Sequence, residues 1–234
     1  PRMTTVQRDA ISSPATGLVI FNTTTNSLEI RNSSAWASLS TVADALPTIQ
    51  IGSQKWMSKN LDVAFYRNGD PIPQVTNATA WAALTTGAWC YYDNDPSAGE
   101  VFGKLYNWYA VNDPRGLAPE GFHIPRDDEW SSLINFLGSA WVAGGKMKAT
   151  GTSLWQSPNT AATNSSGFTG LPGGYRDAYG TFNWLSNCSS WWSSLIAYAT
   201  ASTAFFRELN YDHGEAGTSI RNREDGLSVR CLRD

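Results

Sequence analysis

The sequence contains few charged residues and no long apolar segment. Charged residues make up 16% of its 234 residues, and the formal net charge is only −3. This weakly acidic balance argues against a nucleic-acid partner and against binding to an anionic membrane surface. No apolar run approaches the roughly 20 residues that a bilayer-spanning helix needs. The sequence therefore predicts no membrane span.

Cysteine and histidine are also scarce. The three cysteines, Cys90, Cys188 and Cys231, are too few and too widely spaced for a disulfide framework. One bridge with one free thiol and three reduced thiols remain alternatives. There is no CxxC pair, no HExxH, no GxSxG and no P-loop, and the only histidines are His123 and His213. We therefore expect no catalytic site, no metal site and no cofactor.

Tryptophan is the most unusual component, with 11 copies in a chain that is 41% hydrophobic. This composition predicts a globular protein, and the length fits one domain with an extension. Residues 1–48 form the extension, in which two short strands, 17–22 and 27–32, are joined by a polar turn and followed by a linker. Because such a segment is too small for a core of its own, we assign the main domain to residues 49–234.

Two segments of the main domain predict helices. In "PRDDEWSSLINFLG", apolar residues from Trp130 to Leu137 recur at i, i+3, i+4 and i+7, acidic residues occupy the first turn and Gly138 follows. In "TNATAWAALTTG", Thr76 or Asn77 caps a shorter helix that Gly87 ends. Elsewhere glycine, asparagine, serine and proline recur every few residues. This pattern predicts a loop-rich α+β domain with short strands and two helices.

Two loops allow more than one interpretation. In "DNDPSAGE", Asp93 and Asp95 stand at alternate positions that suit a calcium loop, but Pro96 interrupts the pattern, so a solvated acidic turn is favoured. In "SSGFTGLPGGYRDAYGTF", the glycines permit the turns of a long ordered loop. We interpret Arg176 there as a structural clamp that ties backbone carbonyls together.

Six motifs in order carry a family resemblance: "WMSKNL" (56–61), "GKLYNWYAV" (103–111), "LAPEGFHIPRDDEW" (117–130), "GFTGLPGGYR" (167–176), "WWSS" (191–194) and "GLSVRCLRD" (226–234). The chain resembles the Fibrobacter succinogenes major paralogous domain family over nearly all of residues 50–234. The resemblance implies a C-type-lectin-like fold, in the branch shared with formylglycine-generating enzymes. It also implies that "WWSS" and "GLSVRCLRD" are strands of a central sheet.

The same motifs resemble variable proteins of diversity-generating retroelements, which are ligand-binding proteins of phages and bacteria. That resemblance implies a fixed scaffold with a randomised patch, here at about residues 177–220. The N-terminal piece resembles segments that precede the heads of phage tail fibres and bacterial surface proteins. It implies display on a virion or a bacterial cell surface, and a homotrimer assembled through this segment.

The expected partner is a macromolecular ligand, a protein or a glycan on a cell surface. Large and small side chains of the patch would make contact with it and would carry no chemistry. On this hypothesis, replacing Tyr198, Phe206 and Tyr211 together by alanine leaves folding intact and abolishes binding. The predicted contact residues are Asp177, Tyr179, Thr181, Trp184, Ser186, Cys188, Ser189, Leu195, Ile196, Tyr198, Thr200, Ser202, Phe206, Tyr211, His213 and Ile220.

Two alternatives accompany this hypothesis. A formylglycine-generating-type oxidase would use a cysteine pair, for which Cys188 and Cys231 are candidates by location. A structural surface or stalk domain would have no specific ligand. The calcium-binding motifs of classical lectins are absent, which argues against calcium-dependent sugar binding of that kind.

Overall fold

The computed structural model describes residues 1–25, 27–38, 46–197 and 202–234. The chain divides into unit 1, Pro1–Leu46, and unit 2, Pro47–Asp234. The described residues form a mixed α+β structure of short strands and loops with six α-helices. No helix within the described ranges is both long and apolar enough to cross a bilayer.

In unit 1, residues 1–25 and 27–38 form a small four-stranded sheet and one short helix. The strands follow the order β1-β2-β3-β4; β1 and β2 are parallel and the other pairs are antiparallel. The two strands expected from the sequence are confirmed as β2 and β3. The elements are β1 (Arg2–Met3), α1 (Thr5–Asp9), β2 (Val19–Asn22), β3 (Ser27–Arg31) and β4 (Trp36–Ser38).

The described residues of unit 2 form four small sheets, whose strand orders are β5-β6-β15-β9, β7-β8, β10-β11 and β12-β13-β14. Its elements are β5 (Thr48–Ile51), β6 (Gln54–Met57), α2 (Ala78–Ala82), β7 (Trp89–Cys90), a 3-10 helix (Tyr92–Asn94), α3 (Pro96–Phe102), β8 (Leu105–Tyr106), α4 (Trp108–Val111), β9 (Phe122–His123), α5 (Asp127–Phe136), α6 (Ala140–Met147), β10 (Tyr175–Arg176), β11 (Phe182–Asn183), β12 (Cys188–Ile196), β13 (Thr203–Asn210), β14 (Ala216–Asn222) and β15 (Leu232–Arg233).

Both predicted helices are present, but the expected number was wrong. Helix α5 buries Trp130, Leu133 and Ile134, as its period indicated. Helix α2 is capped by Asn77 and ends five residues before Gly87. Unit 2 also has α3 and α4, which are too short to show a period, and α6, whose glycines have low helix propensity. A Cβ on Gly144 of α6 would lie 2.2 Å from the Glu215 carbonyl oxygen, so close packing explains this glycine.

The expected strand in "GLSVRCLRD" (226–234) was also wrong for most of its length. Only Leu232–Arg233 forms a strand, β15. The preceding residues make isolated bridges, from Leu227 to Tyr106 and from Ser228 to Trp191. The segment therefore runs between sheets. "WWSS" does lie in a strand, β12.

Tryptophan and phenylalanine rings fill the core of unit 2. Trp56 and Trp130 have ring centroids 4.6 Å apart, and Phe168 meets Trp191 edge-on at 5.4 Å. Such ring contacts add to the free energy gained from area burial. Arg230 is buried beside this cluster, where its guanidinium donates to the Asn60 side chain and to the Phe168 carbonyl. The high tryptophan content thus belongs largely to the core.

Candidate functional site

The sheet β12-β13-β14 has an inner face on the core and an opposite, outer face that is buried in part, since Trp192 and Phe206 of the outer face are 0% and 3% exposed. Trp191 pairs with Arg207, and Leu209 pairs with Ala216, so these side chains share the inner face. Trp191, Leu209 and Ala216 belong to the core cluster, and Arg207 reaches the Asp127 carboxylate at 2.6 Å. These inner-face side chains are therefore part of the folded core.

The outer face carries a pocket of about 350 Å³. Cys188 pairs with Asn210, and Glu208 and Arg221 have the same strand parity, so β12, β13 and β14 all contribute to its floor. The remaining wall comes from β10 and from the turns before β12 and after β13. The lining residues are Tyr175, Trp184, Cys188, Glu208, Asn210, Asp212, His213 and Arg221.

Arg221 is fixed in the floor of this pocket by three neighbours. Its guanidinium carbon lies 3.6 Å from the Tyr175 ring centroid and 4.9 Å from that of Phe206. Its Nη1 lies 3.3 Å from an oxygen of Asp225, which is 4% exposed. Glu208 and Asp212 add carboxylates to the pocket lining, which therefore contains side chains of both charge signs.

Trp184 separates this pocket from a second concavity. The second concavity, about 430 Å³, is lined by Phe182, Asn183, Trp184, Asn187 and Tyr211. Trp184 is 55% exposed and has a φ of 63°, and Ser186 has a φ of 66°. Left-handed backbone costs roughly 1 kcal/mol or more at such residues and tends to mark functional turns. The Trp184 indole is thus exposed on a strained turn between the two concavities.

Lys148 supports the turn that carries His213. Its ammonium group is buried and donates to the carbonyl oxygens of Thr160, Asn210 and His213, each at 2.8 Å. Burial lowers the pKa of Lys148 to about 8. A buried amine that joins three carbonyls fixes the backbone between β13 and β14.

Arg176 supports the loop between β10 and β11. It is buried and donates to the carbonyls of Val75, Thr76 and Gly180 at 2.7–3.0 Å, which confirms the clamp predicted from the sequence. Within the loop, Asp177 accepts from two backbone amides, and Tyr179 is 81% exposed. The loop is therefore ordered by its own bonds and presents a tyrosine to solvent.

Comparison with protein-family models matches residues 49–233 to the Fibrobacter succinogenes major domain. The chain belongs to this family. Residues 1–58 match a model described as a phage tail like trimerisation region. Searches of the curated proteins and of the solved structures found no significant match.

Most of the predicted contact residues are at least partly accessible in this Fibrobacter succinogenes major domain. Tyr179, Thr181, Trp184, Leu195, Ser202 and Ile220 are exposed, and Asp177, Ser186, Ile196, Tyr211 and His213 are half-buried. Tyr198 and Thr200 lie outside the described residues.

Three of the predicted contacts are wrong because the side chains are buried. Ser189 is on the inner face and bonds the Leu171 carbonyl. Cys188 borders the pocket but is only 3% exposed. Phe206, also 3% exposed, lies beneath the Arg221 guanidinium. Ser189 is buried because it points to the inner face, whereas Cys188 and Phe206 are buried on the outer face of the paired strands.

The predicted contact residues form two groups, one at each end of the sheet β12-β13-β14. Trp184, Cys188 and His213 line the pocket, and Trp184 and Tyr211 line the second concavity. A second group lies at the other end of β13. The rise per residue of a strand places it about 20 Å from the first group. There Ile196 pairs with Ala204 and Ile220 pairs with Phe205, and Leu195 and Ser202 are in the same region of the chain.

Five pocket residues were missed by the sequence analysis. Glu208 and Asn210 share the outer face with Phe206 by strand parity, but β13 has no alternation of apolar and polar residues that would have shown this from the sequence. No local signal identifies the other three, because their place in the pocket depends on long-range packing. The missed residues are Tyr175, Glu208, Asn210, Asp212 and Arg221.

The burial of Phe206 gives a stability prediction. Phe206→Ala removes a ring packed below Arg221, so we expect the free energy of unfolding to fall by about 3 kcal/mol. Phe205→Ala is the control, since Phe205 is adjacent and only half-buried. Chemical denaturation of both variants measures the difference, and an equal effect would contradict the assignment of Phe206 to the core.

The ion pair of the buried Asp225 with the half-buried Arg221 gives a pH prediction. Burial raises the pKa of Asp225 to about 6, against the attraction of Arg221, and an unfolded aspartate titrates near about 3.9. The folded state therefore binds the proton more tightly, and the wild type is stabilised as pH falls from about 6 to about 4. Asp225→Asn lacks this titration.

Denaturation across that pH window provides the measurement. The free energy of unfolding of the wild type minus that of Asp225→Asn should increase as pH falls. A difference that stays constant, or that decreases, would contradict the raised pKa.

Proposed function

We propose that unit 2 is a recognition domain of C-type-lectin-like fold that binds a macromolecular ligand, a protein or a glycan, on a cell surface. The observation that carries the proposal is Trp184, exposed on a strained turn between concavities of about 350 and 430 Å³. Exposed aromatic side chains next to concave polar surface are typical binding anchors, since they offer large contact area at low entropy cost.

The proposal includes diversification of this surface by a retroelement. Its support is a separation of roles along the chain. The quoted motifs contain buried residues such as Arg176, Trp191 and Arg230, whereas Tyr179 and Trp184 lie between motifs and are exposed. A scaffold of this kind tolerates changes at exposed positions, where most substitutions have small effects on stability.

Unit 1 supports a location on a phage tail or a cell surface. Its match to a phage tail like trimerisation region favours a homotrimer that displays three copies of unit 2. Three linked sites raise overall avidity well above the affinity of one site, provided that they can engage together.

The proposal assigns no enzymatic activity to the chain. An oxidase would need reactive thiolates, and burial raises the pKa of both Cys188 and Cys231 to about 12. Thiols of such high pKa are largely protonated at neutral pH and are poor nucleophiles. Within the described residues, no group of three or more histidine, cysteine, aspartate or glutamate side chains is placed to hold a metal ion.

A whole-cell binding assay tests this function. The fluorescently labelled chain is titrated against a panel of intact bacterial strains, with and without excess unlabelled chain. We expect saturable, competed binding to a small subset of the strains. Binding that is uniform across the panel, or that cannot be competed, would favour a structural domain without a specific ligand.

A further inference from the structure

Unit 1 contains very little apolar core of its own. Among its described residues, Ile20 is the only buried apolar side chain; the other buried side chains, Asn22 and Glu29, are polar. In a unit of 46 residues, one buried apolar side chain among the described residues is too little burial to offset the entropy of folding. Small units of this kind are commonly stabilised by oligomerisation.

One face of the unit 1 sheet is closed by polar contacts. Asn22 donates to Glu29 at 2.9 Å, and Arg8 of α1 reaches the other oxygen of Glu29 at 2.6 Å. Thr5 of the same helix bonds Asn22. Helix α1 therefore covers this face and satisfies its buried polar groups, so little surface remains there for a partner.

The opposite face is apolar. The register pairs Val19 with Ile30, Phe21 with Leu28 and Ile30 with Ala37, which places all five side chains on one face. Val19 is 39% exposed and Leu28 is 48% exposed. No helix of the described part of unit 1 covers these side chains. At the edge of the face, the guanidinium of Arg2 lies 4.8 Å from the Phe21 ring centroid.

We propose that this apolar face of β2, β3 and β4 is the surface through which three copies of the chain assemble. The inference rests on the homotrimer proposed above and assigns its interface. Packing of three such faces around one axis buries Val19, Phe21, Leu28 and Ile30 against their counterparts in the other copies. The trimer thus supplies the core that a single unit 1 lacks.

Size-exclusion chromatography with light scattering of the full chain tests the interface. The wild type should have the mass of three chains. Val19→Lys and Leu28→Lys each place three ammonium groups in the interface, so the concentration for half-assembly should rise by at least about 100-fold. Val6→Lys is the control in the same unit, because Val6 is 80% exposed on α1, and it should remain trimeric.

Covalent footprinting of the wild type provides a second test that does not depend on the folding of a variant. Leu28 and Val101 have similar exposure in the single chain, 48% and 45%. In the trimer, labelling of Leu28 should be at least severalfold weaker than that of Val101. A monomeric wild type would overturn both the trimer and this interface. A trimer that keeps its mass in Leu28→Lys, or that labels Leu28 as strongly as Val101, would overturn the interface alone.

Discussion

Replacing Lys148 with methionine is expected to lower the free energy of unfolding by about 3 kcal/mol. Methionine retains an apolar stem but leaves the carbonyls of Thr160, Asn210 and His213 without the amine that joins them. Each buried carbonyl without a partner costs roughly 1–3 kcal/mol, partly offset because the amine no longer has to be desolvated. Urea denaturation near neutral pH measures the change.

Lys146→Met is the matched control for this prediction. Lys146 lies in the last turn of α6, two residues before Lys148, and donates to one carbonyl, that of Leu137 at 2.7 Å. Its replacement should cost less than about 1 kcal/mol. Equal losses in the two variants would contradict the special role of Lys148. Ligand binding by Lys148→Met should also weaken, since Asn210 and His213 line the pocket.

Replacing Trp184 and Tyr179 together by alanine is expected to weaken ligand binding by at least about 100-fold while stability changes by less than about 1 kcal/mol. The two side chains are 55% and 81% exposed, so their removal leaves the core unchanged. Aromatic residues of this kind carry a large share of interface free energy. Titration against a strain that binds the wild type measures the loss.

The control is a second pair of exposed aromatic residues on helices α5 and α6. Phe136 and Trp141 are 64% and 75% exposed, and alanine at both positions should leave affinity unchanged. Similar losses in the two double variants would place recognition elsewhere. This design replaces the triple variant suggested by the sequence, because Phe206 is buried and Tyr211 packs against the core. With that triple variant, a loss of binding could not be distinguished from unfolding.

The sequence was sufficient where the signals were local. Helix α5 has a clear apolar period, an acidic first turn and a glycine after its end, and the structure contains it at those residues. Arg176 was identified as a clamp because a glycine-rich loop leaves carbonyls that an arginine can bind. The family was recognisable from short motifs in order.

The sequence was insufficient where strands have two buried faces. In β13, Arg207 is buried by its contact with Asp127, and Phe206 is buried on the opposite face beneath Arg221. The alternation of apolar and polar residues is therefore lost, and the segment resembles an irregular surface. The pocket also needs Tyr175, which the chain brings in from another sheet, and no local pattern predicts such a contact.

The measurement that tests the central claim most directly is the sequence of the DNA that flanks the gene. A diversified recognition surface predicts a near-copy of the 3′ coding end beside a reverse transcriptase gene, differing from the gene at adenines. The differing codons should fall on outward-facing residues such as Tyr179 and His213 and should spare buried Trp191 and Arg230. Differences spread equally over buried and exposed codons, or flanks with neither a near-copy nor a reverse transcriptase, would contradict it.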